Sequence, residues 1–157
     1  MEQIESIDTI SLESPITAFI WDEFAIDPFE NRSDKISNLR TLDYSSIDTI
    51  LVENRHNLDQ VDTVFQFNFG TSKIQVYSLS AKEFTISSSL FKNIVPIKYG
   101  IQIGNHKTDI INKLSISDTL DLTSQHFRIE VMEVVQWVDL VFQQDTLTEI
   151  IFVGYYD

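Results

Sequence analysis

Apolar and polar residues alternate along much of the chain, and this pattern predicts a protein rich in β-strands. Three β-branched or aromatic runs between polar breaks predict strands at 48–53, 62–70 and 73–79. The Gly70-Thr71-Ser72 segment predicts a tight hairpin turn between the last two. Phe65, Phe67 and Phe69 share one side of their strand, so that side is expected in the core and the opposite side in water.

Further strands are predicted towards the C-terminus. A Ser-rich run within 81–95 ends before Pro96, which interrupts strand pairing. Residues 137–143 and 147–155 predict a closing hairpin around 144–146. In its first strand Val138, Leu140 and Phe142 point one way, and the alternate residues, beginning with Trp137, point the other way.

The segment Tyr99–Leu114 predicts a short strand, a turn and a helix. Ile101 and Ile103 alternate with a polar residue, Gly104 is suited to a positive φ, and Asn105 is a favourable helix N-cap. The following apolar residues recur with helical spacing and would face the core. Lys113 lies where the negative end of the helix dipole favours a cation.

The N-terminal part of the chain predicts less regular structure. Residues 1–14 are expected to form a flexible arm, and 15–23 a short helix or irregular segment that leads into a strand at 24–27. Asn31 or Ser33 would then cap a helix that continues to Arg40 and buries Ile36 and Leu39.

The second half of the sequence echoes the first. Residues 61–66 (VDTVFQ) recur as 138–143 (VDLVFQ), with five of six positions identical, and Phe24/Ile26 correspond to Ile101/Ile103 at the same offset of 77. The echo predicts an α+β protein of two similar helix-on-antiparallel-sheet units in tandem. We place the first unit at 15–95 and the second at 96–157, and the two can form one compact domain.

Two segments carry a resemblance to known bacterial families. IGNHKTDIINKL at 103–114 and VFQQDTLTEIIF at 141–152 resemble the β-lactamase-inhibitor-protein-like fold, a tandem repeat with helices on an antiparallel sheet. They are also similar to the small lipoprotein of the outer-membrane barrel-assembly machinery, which looks like a single such unit. The resemblance implies a binding role outside the cytoplasm and carries no catalytic residues.

The composition of the chain bears on its possible partners and its location. The 157 residues include 24 acids and 11 bases, so the net charge of −13 disfavours nucleic-acid binding. No apolar run reaches the ~18–20 residues of a membrane-spanning helix. The acidic start lacks the pattern of a signal peptide. If a leader was removed, we expect an extracytoplasmic location, with or without a lipid anchor. Otherwise we expect a cytoplasmic location.

Chemical motifs are sparse. The three histidines are scattered without metal-ligand spacing, so no metal or other cofactor is expected. Ser89–Lys92 matches S-x-x-K but lacks the companion motifs of penicillin-recognising enzymes. We therefore expect no catalytic residues and a protein that is not an enzyme.

Aromatic residues suggest a protein-binding surface instead. Tyr77, Trp137 and Tyr155 could form one face with Asp139, because aromatic side chains with a polar tip favour interfaces. The alternative, which is the more common one for such residues, is that they cover a sheet edge or pack under helices. The expected function is binding of a protein or envelope component. The alternative is an acidic cytoplasmic immunity or inhibitor protein that neutralises a basic toxin through the acids Asp43, Asp59, Asp118 and Asp121.

Overall fold

In a computed structural model, which describes residues 15–19, 23–116, 122–131 and 134–154, the chain forms an eight-stranded sheet with short helices on one face. The strands are β1 (Ile16–Phe19), β2 (Ser46–Glu53), β3 (Val61–Phe69), β4 (Ser72–Leu79), β5 (Lys82–Leu90), β6 (His126–Glu130), β7 (Trp137–Gln143) and β8 (Thr146–Val153). The α-helices are α1 (Ile36–Leu39) and α2 (Lys107–Lys113), and 3₁₀ turns occur at Glu23–Ala25, Glu30–Arg32 and Lys98–Gly100. The predicted strand-rich α+β class is confirmed.

The strand order across the sheet is β1-β6-β7-β8-β5-β4-β3-β2. Two antiparallel meanders, β2 to β5 and β6 to β8, join where β5 pairs antiparallel with β8. β1 pairs in parallel with β6. The predicted helix or irregular segment at 15–23 is therefore wrong for Ile16–Phe19, because a partner about 110 residues further along the chain makes these residues a strand.

The core lies between the helical layer and one face of the sheet. Phe67, Ile74 and Leu140 contribute from the strands, and Leu39 and Ile110 contribute from α1 and α2; all five are fully buried. The alternation in β3 and β7 correctly identified the core-facing residues of both strands, and burial of these apolar side chains is the main source of stability.

The predicted strand around Ile101–Ile103 is wrong. The Asn93 side chain accepts a hydrogen bond from the Ile103 N–H (2.8 Å), and the chain then turns at Gly104, where φ is +97° as predicted. Asn105 does not cap α2, because its side chain accepts from the Gln102 N–H. The cap is His106, whose Nδ1 accepts from the Thr108 N–H.

The predicted strand at 24–27 is also wrong, since Phe24 and Ala25 lie in a buried 3₁₀ turn. The predicted helix shrinks to Ile36–Leu39, although Leu39 is buried as expected. Neither Asn31 nor Ser33 caps it. Instead, the Glu83 carboxylate on β5 accepts the Ile36 N–H at 3.2 Å. A cap supplied from a distant strand leaves no local sequence signal.

Lys107 ties α2 to the sheet. Its side chain is buried, and its Nζ donates to the carbonyl oxygens of Leu122 (3.1 Å) and Ser124 (2.6 Å) and to Asp145 Oδ1 (2.7 Å). The ammonium also lies 5.4 Å from the centroid of the Phe142 ring. One cation thus connects the helix start, the segment before β6 and the turn between β7 and β8.

The 77-residue echo does not match the architecture. It relates β3 to β7, which point the same way in the sheet, whereas a rotation that keeps the core on one side and reverses the strand order would relate strands that point in opposite ways. A different correspondence appears in the pairing register. Ile74 pairs with Ser88 in the β4–β5 hairpin, and Val138 pairs with Phe152 in the β7–β8 hairpin. Both residues of the second pair lie 64 positions after those of the first. Ser88 and Phe152 in turn face each other across β5 and β8.

A second pair of segments meets in the same reciprocal way. Phe29 bridges Ile97, the Glu30 N–H donates to the Pro96 carbonyl (3.0 Å), and the Lys98 N–H donates to the Pro28 carbonyl (2.8 Å). In both segments, two consecutive residues with positive φ follow, at 31–32 and 99–100. Two stretches of different sequence therefore adopt one conformation and pair with each other.

Replacing Lys107 with Ala should lower the free energy of unfolding by about 3 kcal/mol, because the change leaves buried carbonyl groups without their donor. Lys113→Ala, at an exposed position on the same helix, should cost less than about 0.5 kcal/mol. Urea unfolding of both variants measures the difference. Equal losses would contradict the anchoring role of Lys107.

Candidate functional site

The face of the sheet opposite the helical layer, which we call the open face, is the candidate site. Its central part is apolar and half-buried, and consists of side chains from β7 and β8: Trp137, Val141, Ile151 and Val153. Partly exposed apolar groups surrounded by polar side chains are typical of interaction surfaces.

Trp137 belongs to a cluster of charged and aromatic groups. The Arg128 guanidinium lies 4.6 Å from the Trp137 ring centroid. It also donates two hydrogen bonds to Asp139, from Nε to Oδ1 (2.8 Å) and from Nη2 to Oδ2 (3.0 Å). The bonds to Asp139 raise the pKa of Arg128 above its ordinary value. The two-pronged pair fixes the guanidinium, and this in turn orients the indole.

Asp139 is 4% exposed, so its predicted place on a wet surface is wrong for the carboxylate itself. Arg128 neutralises the carboxylate, which makes burial tolerable. The His126 Nε2 lies 3.3 Å from Asp139 Oδ2, and His126 is also buried. Neither ring nitrogen of His126 has a hydrogen-bond partner among the described residues, and both are shielded from solvent. His126 and Asp139 therefore lie beneath the surface of the open face.

A row of hydrogen-bonded polar side chains crosses the other half of the open face. The Ser87 hydroxyl donates to Gln75 (2.8 Å), the Gln75 amide donates to Gln66 (2.7 Å), and the Gln66 amide donates to Asn68 (2.9 Å). The Asn68 amide then donates to the Asp48 carboxylate on β2 (2.9 Å). This row holds flexible side chains in one arrangement from β5 to β2.

Tyr77 lies on the open face but is buried. Its ring stacks on Phe84, with 5.3 Å between centroids, and its hydroxyl donates to Asp62 Oδ2 at 2.5 Å. Asp62 also accepts from Asn54 and Gln60, and is itself only 2% exposed. The Tyr77 bond, followed by those from Gln60 and Asn54, lowers the pKa of Asp62 below its ordinary value. Tyr77 therefore holds a loop in place and is not a contact surface.

The structure brings together only part of the predicted site. Trp137 and Asp139 are neighbours on one side of β7. Tyr77 is on β4, three strands away from β7. At the usual spacing between strands, the two strands are about 14 Å apart. Tyr155 lies outside the described residues. Arg128, which lies directly opposite Asp139 in the sheet, was not among the predicted site residues. The Arg-x-Glu alternation at 128–130 offered a signal only once the register with β7 was known.

A cleft of about 230 Å³ lies on the other side of the sheet, between the sheet and the helical layer. Asp34 lines it and accepts a hydrogen bond from the Thr85 hydroxyl (2.6 Å). Burial, only partly offset by this bond, raises the pKa of Asp34 above its ordinary value, and Asp27 adds to the effect. Burial in this small cleft thus disfavours the charged form of Asp34.

Two further findings concern the described residues as a whole. No three His, Asp or Glu side chains among them are grouped so that they could hold a metal ion. Their helices are all too short or too polar to cross a membrane.

No protein-family model matches this sequence, and neither the curated proteins nor the solved structures include a significant match.

The Asp34 pKa gives a prediction with a defined sign. A carboxyl group with a raised pKa binds more protons in the folded than in the unfolded state, so it destabilises the fold as the pH rises above its ordinary value of 3.8. Asp34→Asn should gain stability relative to the parent protein between pH 4 and pH 7. Urea unfolding at several pH values measures this, and a difference that does not change with pH would contradict it.

Proposed function

We propose that this protein is a non-enzymatic binding domain that holds another protein or an envelope component on the open face of its sheet. The observation that carries the proposal is the asymmetry of the sheet within the described part of the chain, where the helices pack against one side of it. The half-buried patch formed by Trp137, Val141, Ile151 and Val153 then offers an apolar centre for the partner.

The polar row supports the same proposal. Side chains that are already ordered lose little conformational entropy when a partner binds, so more of the contact energy appears as affinity. The row from Ser87 to Asp48 is held by its own hydrogen bonds. Arg128 is likewise held by Asp139. Trp and Arg are residue types on which binding energy often concentrates.

We further propose that the two halves are similar units in tandem. Support comes from the reciprocal pairing of 28–30 with 96–98 and from the 64-residue correspondence of the β4–β5 and β7–β8 hairpins. The registers of the two hairpins are symmetric about the pair Ser88–Phe152, as a local two-fold relation between them would require. A sheet built in this way doubles the width of the open face without a second chain.

We also propose that the protein acts outside the cytoplasm. The resemblance to the β-lactamase-inhibitor-protein-like fold and to the barrel-assembly lipoprotein favours an extracytoplasmic protein, held by a lipid anchor if its precursor carries one. Fractionation of the source cells tests this, and recovery of the protein in the cytoplasmic fraction alone would contradict it.

The second candidate is an acidic immunity or inhibitor protein of the cytoplasm that neutralises a basic toxin. The net charge of −13 favours it, because complementary charge accelerates encounter. Asp43 and Asp59 are exposed, as this function requires, while Asp118 and Asp121 lie outside the described residues. Salt separates the two candidates. Binding by this route should weaken steeply with ionic strength, whereas binding at the apolar centre should change little.

Site-specific photo-crosslinking tests the open-face proposal. A crosslinking side chain is placed at Val153 on the open face, or at Lys113 on the helical side, and the protein is produced in its source cells. A discrete adduct is expected from position 153 and not from position 113. Adducts from position 113 alone, or equal adducts from both, would contradict the proposal.

Replacing Trp137 with Ala should separate binding from stability. Because the indole is half-buried on the open face, the change should cost only about 1 kcal/mol of folding free energy, whereas Phe142→Ala in the core should cost about 3–5 kcal/mol. Affinity for the crosslinked partner should fall by about 2 kcal/mol, roughly 30-fold. A core-sized loss of stability for Trp137→Ala would remove it from the site.

A further inference from the structure

Strand β2 forms a free edge of the sheet. Among the described residues it pairs only with β3, in an unbroken ladder from Ser46–Asn68 to Glu53–Val61. All its side chains are exposed or half-exposed. The outer edge of β2 therefore presents backbone N–H and C=O groups without a partner strand in the described chain, which is a template for a further strand.

The edge lacks three of the features that usually prevent such pairing, and its protection against a like-charged strand rests on Asp48 and Glu53. Its sequence, SIDTILVE, contains no proline and no basic residue, and its ladder has no bulge, unlike the β4–β5 and β7–β8 ladders. Apolar residues occupy the middle instead. Leu51 is 69% exposed, beside Ile50 at 43%. Isolated exposed residues are ordinary, but Val61, on the same side of the sheet as Leu51, is 61% exposed, and Leu58, in the loop between β2 and β3, is 85% exposed. Ile50 points to the opposite side of the sheet, so the edge carries apolar groups on both sides.

The loop that carries Leu58 is held in place. Asn54 Oδ1 accepts the N–H groups of His56 and Asn57, both at 2.9 Å. The side chains of Asn54 and Gln60 donate to the buried carboxylate of Asp62, both at 2.8 Å. A buried, fully bonded carboxylate thus orders a loop whose most prominent side chain is an exposed leucine.

The charge along this edge indicates which partner fits. The exposed carboxylates of Asp43, Asp48, Glu53 and Asp59 flank the apolar centre, and Arg55 is the one Lys or Arg in the same stretch of sequence. Pairing of β2 with a second copy would bring Asp48 and Glu53 of each copy to one seam, and the two chains each carry a net charge of −13. Like-charge repulsion disfavours that arrangement.

We propose that β2 is a docking edge for an extended, basic segment of another protein, which adds to the sheet as a ninth strand. Backbone hydrogen bonds supply the pairing, apolar side chains of the segment contact Ile50 and Leu51, and its Lys or Arg side chains face Asp48 and Glu53. The docking edge is separate from the open-face patch, which lies several strands away, so either proposal can fail without the other.

The test uses a synthetic peptide, KVIITKVS, written so that antiparallel pairing places its lysines opposite Glu53 and Asp48 and its isoleucines opposite Leu51 and Ile50. Fluorescence anisotropy measures its affinity for the whole protein. Leu51→Lys should weaken binding at least tenfold, because it removes the apolar contact and places a cation opposite the basic segment. Val135→Lys is the matched control, since Val135 is 71% exposed and the change in charge is the same.

A second peptide with N-methylated amides on its pairing edge keeps the side chains and charges but loses the backbone donors. Its binding should also be at least tenfold weaker. The proposal is overturned if the parent protein gives no saturable binding, if Leu51→Lys and Val135→Lys bind the peptide equally, or if the N-methylated peptide binds as well as the first. Concentration-dependent dimerisation that Leu51→Lys abolishes would assign the edge to a second copy and also overturn it.

Discussion

The pairing of β5 with β8 is the contact on which the rest of the structure depends. Four residue pairs, from Ser87–Val153 to Leu90–Ile150, join two meanders that would otherwise be separate small sheets. Ser88 lies opposite Phe152 on the core side, and its hydroxyl is buried without a hydrogen-bond partner among the described residues. A small residue leaves room there for the Phe152 ring, which packs edge-to-face against Phe29. The buried hydroxyl has a cost, which the aromatic packing offsets.

One consequence of this joint is a continuous face on each side of the sheet. The helical layer covers the core side, where the apolar residues of both meanders form one cluster. On the open side, polar side chains that are buried against the sheet need hydrogen-bond partners from neighbouring side chains. Asp139 is satisfied by Arg128, and Asp62 by Tyr77, Asn54 and Gln60. The two buried carboxylates thus hold the side chains around them, Arg128 at one and Tyr77, Asn54 and Gln60 at the other, in fixed positions on the open face.

The two proposed binding surfaces differ in physical character. The open-face patch offers side chains at the middle of the sheet, where apolar contact and desolvation dominate affinity. The β2 edge offers backbone groups and exposed carboxylates, where strand pairing and charge dominate. The first should discriminate partners by shape and the second by charge and extended conformation, so one small domain can hold two different segments.

Local sequence patterns predicted several elements correctly. The β3–β4 hairpin and the core faces of β3 and β7 follow from two-residue periodicity. The closing hairpin was also predicted, with a shorter turn than expected because Gln144 and Asp145 both adopt positive φ. The backbone alternates sides at every residue whatever its neighbours are, so these features can be read directly from the order of residues.

Longer-range features were decided only by the tertiary structure. The sequence marked Trp137 and Asp139 as a pair on one side of a strand, but Arg128, which contacts both, and His126, which lies beside Asp139, come from a neighbouring strand with its own register. The strand at Ile16–Phe19 and the cap that Glu83 supplies to α1 likewise depend on partners far along the chain. A local pattern states which side of an element is apolar. The whole chain determines which segment covers that side, because folding minimises exposed apolar surface and unpaired hydrogen-bonding groups together. The same balance determines which polar groups are buried and which strand is left at a free edge.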